Sequence, residues 1–120
     1  MKKLYPALSI VKPNGVKIAQ GIKTLEIRAW KPEYLPLKDL LIVENNRYLT
    51  QKEDEDIGQA IALVDIESVH AWRIDEFEAA CASYWADGYW AWVICNVRPI
   101  SKPFSMIAKR KIYFIELDHL

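Results

Sequence analysis

The stretch Gly21-Ile22-Lys23-Thr24-Leu25-Glu26-Ile27-Arg28 is where the chain changes its period. Before it, Val16, Ala19 and Ile22 recur three apart behind Asn14, which predicts a short helix capped by Asn14 and stopped by Gly21. From Thr24 to Trp30 the period becomes two, with Leu25 and Ile27 pointing one way and Thr24, Glu26, Arg28 and Trp30 the other. That alternation describes a strand with one apolar face and one face open to water or a ligand. At its mouth stand an ammonium, a hydroxyl, a carboxylate and a guanidinium, on Lys23, Thr24, Glu26 and Arg28. As an exposed Glu26–Arg28 pair these groups would contribute little. Their neighbours decide whether they do more.

Upstream, Leu4 to Val11 is rich in β-formers up to Pro13 and reads as a first strand. Downstream, Pro32 and Pro36 bracket a turn, Leu37 to Glu44 reads as a strand, and Lys52-Glu53-Asp54-Glu55-Asp56 reads as a solvated loop. Gln59 to Val69 is a long β-rich run. Asp75 followed by Glu78 resembles a capping pattern, and Phe77, Ala80, Cys81 and Tyr84 recur at helical spacing, which predicts a second helix. Asp87-Gly88 is a turn signal before an aromatic strand from Tyr89 to Val97. Pro99 and Pro103 mark an irregular stretch, and Ile112 to Leu117 predicts a last strand. Consecutive strands with few helices suggest an α+β or partly closed barrel fold and argue against a doubly wound parallel sheet.

A chain of 120 residues, 52% apolar and 27% charged, fits one globular domain that folds without staples. Its two thiols, Cys81 and Cys95, read as reduced, with a single bridge between them left open. Lys2 and Lys3 precede an apolar run, but Pro6 interrupts it and no cleavage site follows, so a soluble cytoplasmic protein is expected. No segment is long and apolar enough for a membrane-spanning helix. Cys81, Cys95, His70 and His119 match no zinc spacing, and the four scattered glycines form no phosphate loop, so neither metal nor cofactor is expected.

Sixteen basic residues balance sixteen acidic ones, which taken whole argues against a nucleic-acid partner. By segment the balance disappears. Residues 1–31 hold seven basic residues and one acid (+6), and residues 88–112 hold five and none (+5). Residues 32–87 hold four basic residues against thirteen acids (−9), and the tail from Tyr113 adds −2. A local basic cleft for a small or single-stranded ligand fits this better than a broad duplex-binding face.

Gly21, Lys23, Glu26 and Arg28, with Leu8-Ser9-Ile10-Val11-Lys12-Pro13 before them and Gly88-Tyr89-Trp90-Ala91-Trp92-Val93 after, resemble the ASCH (activating signal cointegrator homology) domain and its Gly-x-Lys-x-x-Glu-x-Arg signature. The resemblance spans essentially the whole chain. It implies a PUA-like mixed β-barrel of about six strands with two or three short helices, and a cleft lined by the signature residues.

In such a cleft Lys23 and Arg28 would engage phosphate oxygens, Arg28 as a planar fork and Lys23 as a point charge. Trp30, Tyr89, Trp90 or Trp92 would stack on an unpaired base, Tyr89 first by its place at the strand entrance and Trp92 second, and Glu26 would accept from an exocyclic amine or act as a base. Ser9 and Lys12 join them if the first strand neighbours the second. The expected ligand is single-stranded RNA, a nucleotide or a nucleoside. Lys109-Arg110-Lys111 reads mainly as a solvated turn, and otherwise as an extension of the basic surface.

The resemblance also implies a competing hydrolase reading, since some ASCH-like proteins resemble N4-acylcytidine amidohydrolases and others ribonucleases. In the amidohydrolases a Thr stands three residues after the Lys. Here Glu26 holds that position, and Thr24 is one residue after Lys23, facing differently on a strand. Lys23 with Glu26 would be the catalytic pair. A protein-interaction module is a third reading, resting only on the acidic middle segment.

Overall fold

The computed structural model describes residues 1–120, whose strands form one six-stranded mixed sheet in the order β2-β5-β4-β3-β1-β6. The elements in chain order are β1 (Lys2–Val11), α1 (Asn14–Ala19), β2 (Leu25–Arg28), β3 (Leu37–Asn45), β4 (Asp56–Ala71), a 3-10 turn (Ile74–Glu76), β5 (Trp90–Ala108) and β6 (Ile112–Asp118). Only β1 and β3 pair in parallel; every other neighbouring pair is antiparallel.

The long apolar runs of β3 and β4 follow from burial on both faces of the sheet. Leu40 and Ile42 join Leu8, Ile10, Val64 and Trp92 on one face, where Ile18 of α1 also packs. Leu41 and Val43 join Tyr5, Ala7, Leu63 and Ala108 on the other, under Tyr113 and Ile115 of β6. One-residue alternation divides each strand between two cores.

Several expectations need correcting. The second helix is absent: after the 3-10 turn the chain runs through turns from Phe77, Phe77 and Tyr84 are exposed, and Cys81 has φ 54°. The architecture therefore holds one short α-helix and a 3-10 turn, not two or three helices. The sheet also leaves β2 and β6 as its edges, with no ladder joining them into a closed barrel. A side chain ties β2 to β1, the strand next to the β6 edge: Arg28 donates from Nη2 to the Ser9 carbonyl at 2.9 Å.

The stretch with Pro99 and Pro103 is strand rather than irregular chain. A register shift opposite Ala60 and Ala62 takes up the extra residues between Pro99 and Phe104, and prolines are tolerated at such bulges. At α1, Pro13 rather than Asn14 holds the N-cap. Gly21 does stop the helix, at φ 77°, with the Gly21 and Ile22 amides bonded to the Ile18 and Lys17 carbonyls. This is the Schellman closure that a left-handed glycine permits. No helix is long and apolar enough to cross a membrane.

Candidate functional site

The Schellman turn delivers Lys23 to the start of β2, and the alternation of β2 then sends Glu26 and Arg28 to the same side. Lys23 and Glu26 are buried, only 5% and 6% exposed. Their charges are matched inside the protein. Lys23 Nζ lies 3.4 Å from Glu26 Oε1 and donates to the Ala80 carbonyl. Arg28 donates from Nε to Glu26 Oε2 at 2.8 Å, and its Nη2 lies 2.7 Å from the same oxygen while also reaching Ser9. Of the guanidinium nitrogens, Nη1 alone has no hydrogen-bond partner in the protein. Burial pushes the Glu26 carboxyl upward, but Arg28 and then Lys23 outweigh it and hold the group below its ordinary value.

The strap between β4 and β5 is fixed by the same motif. Thr24 and Leu25 amides both donate to the Ala79 carbonyl, at 2.9 and 3.2 Å. Leu25, Trp72, Ala80 and Ala91 form a small apolar core beneath it, and Trp72 packs against Trp85 with ring centroids 6.1 Å apart. Farther out, Glu76 accepts from the Arg73 amide and meets His70 Nε2 at 2.8 Å.

Motif, strap and the β5–β6 turn enclose one open cleft of about 550 Å³. Of the candidates from the sequence, Ser9, Lys23, Glu26, Arg28, Trp30 and Tyr89 line it. Three candidates stand elsewhere. Lys12 is exposed off the cleft wall, Thr24 is exposed outside it, and Trp92 is fully buried in the core. Trp92 supports the cleft from behind, meeting the Trp30 ring edge-on at 5.0 Å and donating from Nε1 to the Trp30 carbonyl.

The cleft also holds residues not singled out as candidates. Tyr48 and Tyr84 stand at its mouth, 76% and 72% exposed, and Cys81 and Ser83 line the strap wall. Cys81 is half-buried and lies on the cleft rather than on a core stripe; both cysteines are free thiols. Lys109, Arg110 and Lys111 form the facing wall, with Lys111 Nζ 5.5 Å from the centre of the Trp30 ring. Lys109-Arg110-Lys111 read in the sequence mainly as a solvated turn, and Tyr48, Ser83 and Tyr84 carried no signal of a site, because the β3–β4 loop, the strap and the last turn meet only in three dimensions. Beneath this wall Ser9 Oγ and Tyr113 Oη lie 2.8 Å apart, and burial raises the Tyr113 phenol above its ordinary value, against the opposing hydrogen bonds from Ser9 and the Lys109 backbone.

A mixed sheet carrying a polar cleft of this kind defines a β-rich ASCH-like fold. Residues 8–104 match the ASCH domain, and the chain belongs to that family. Among solved structures it is similar to a serine-to-alanine mutant of ZmASCH from Zymomonas mobilis, at 15% identity and TM-score 0.56, covering 83% of this chain and 72% of that one. A tyrosine-to-phenylalanine mutant of the same Zymomonas mobilis protein aligns at 14% identity and TM-score 0.49, covering 83% and 74%. No curated protein sequence matches the chain.

Proposed function

We propose that this ASCH domain binds single-stranded RNA or a nucleotide in the cleft between β2, the strap and the β5–β6 turn. The observation that carries the reading is convergence: Arg28, Trp30, Tyr84, Tyr89 and the cations of residues 109–111 border one cleft. Its volume of about 550 Å³ lies in the range of small-ligand pockets. Exposed aromatic rings supply stacking surfaces worth about 1–3 kcal/mol per base, and basic side chains supply the phosphate attraction. Zero net charge limits nonspecific binding and favours a local site.

Hydrolysis of RNA or of a nucleoside such as N4-acetylcytidine receives less support from the same geometry. Glu26 is an anion committed to two cations, Lys23 is committed to Glu26 and Ala80, and Thr24 faces away from the cleft. A general base needs a free lone pair within reach of its substrate. The interaction-module reading gains no localised feature.

Titration of 15N-labelled protein with a single-stranded hexaribonucleotide at low salt tests the binding reading. Amide shifts should concentrate at residues 21–30, 81–89 and 109–111. Absence of shifts there would remove it.

A further inference from the structure

Resting on the binding reading, we infer that the β5–β6 turn, Lys109-Arg110-Lys111, is a phosphate subsite, so that the cleft takes a phosphorylated nucleotide unit in preference to a nucleoside. The motif cations are poor candidates for this task. Lys23 and Arg28 together carry two positive charges around one buried carboxylate, and their donors go largely to Glu26, Ala80 and Ser9. A phosphate drawn to Lys23 would have to displace Glu26 from a buried site. Breaking such a pair is costly.

The turn is different on every count. Arg110 has no acidic partner, Lys109 approaches Glu55 only at 3.9 Å between half-exposed side chains, and Lys111 rests over the Trp30 ring. Three adjacent cations line the same cleft as the aromatic rims, so a ring stacked near Trp30 leaves a sugar-linked phosphate within reach of the turn. Stability alone does not call for this sequence. Lys111 adopts a left-handed conformation, φ 55°, where glycine is favoured, and neighbouring like charges repel. The turn also lies beyond residues 8–104, the segment that matches the ASCH domain.

Calorimetric and NMR titrations with UMP, uridine and inorganic phosphate at 50 mM salt decide the matter. Wild type should bind UMP at least tenfold more tightly than uridine, and UMP and inorganic phosphate, unlike uridine, should move the amides of residues 109–111. Arg110→Ala and Lys111→Gly should each reduce the preference for UMP over uridine at least fivefold. Lys111→Gly should also keep or raise the unfolding midpoint, which separates lost binding from lost folding. Equal UMP and uridine affinities in wild type, or an undiminished UMP preference in both variants, would overturn the subsite and leave the binding reading standing. Failure of wild type to bind either UMP or uridine, or the hexaribonucleotide, would overturn both.

Discussion

Glu26 sits almost without water between an ammonium and a guanidinium, and it decides what the motif does. Replacing it with Gln would leave two like charges facing each other, one of them buried. The expected cost of Glu26→Gln is about 3–5 kcal/mol, read as a lowered urea midpoint at pH 7. The sign of its pH dependence is fixed by the lowered carboxyl pKa. A depressed folded pKa gives stability that is present above the unfolded value, near 4.3, and lost as pH falls through the folded one. The gap between wild type and Glu26→Gln should therefore narrow on acidification below about pH 4, as wild type loses its anion. Period two was enough to put Glu26 and Arg28 on one face in the sequence. It could not reveal that Lys23 spends its charge on Ala80, a partner 57 residues away.

At the scale of elements, the strap is where local pattern misleads. Asp75, Glu78 and the spacing of Phe77, Ala80, Cys81 and Tyr84 satisfy helix rules, yet the Ala79 and Ala80 carbonyls are taken by the β2 amides and by Lys23. Tertiary bonds outcompete helix propensity, which is worth only tenths of a kcal/mol per residue. The same blindness applied to β5, whose prolines suggested an end but occupy a bulge. Strands whose two faces are both buried, β3 and β4, were legible because Leu, Ile, Val and Ala run unbroken through their middles. If the strap hangs on its small core, Trp72→Ala should destabilise the protein by about 3–5 kcal/mol. It should also speed hydrogen exchange at the Thr24 and Leu25 amides, which donate to Ala79. Unchanged exchange at those two amides would show the strap to be held by something else.

Across the whole molecule, four strands meet at one polar knot away from the motif. Asp65 of β4 accepts from the Asp39 amide of β3 and from Asn96 of β5, and Arg98 of β5 reaches both carboxylates. Lys3 of β1 closes the set on Asp39. Register shifts that give β3 and β5 an extra residue each against β4, with left-handed conformations at Asp39 and Asn96, bring these groups together. None of those irregularities has a glycine to announce it, so the knot was not legible in the sequence. Burial raises the Asp65 carboxyl, but the bonds from Asn96, the Asp39 amide and Arg98 reverse this and lower it to about 2. With an ordinary value near 3.9 in the unfolded chain, its contribution of about 2–3 kcal/mol is complete above that value and disappears as pH falls toward 2. Wild type should thus lose stability steeply between about pH 4 and pH 2. Asp65→Asn should start less stable at pH 7 and show a shallower acid limb, measured by urea midpoints across that range. Parallel limbs in the two proteins would mean that the acid sensitivity resides in other carboxylates, and that the knot joins the strands by geometry without adding charge-dependent stability.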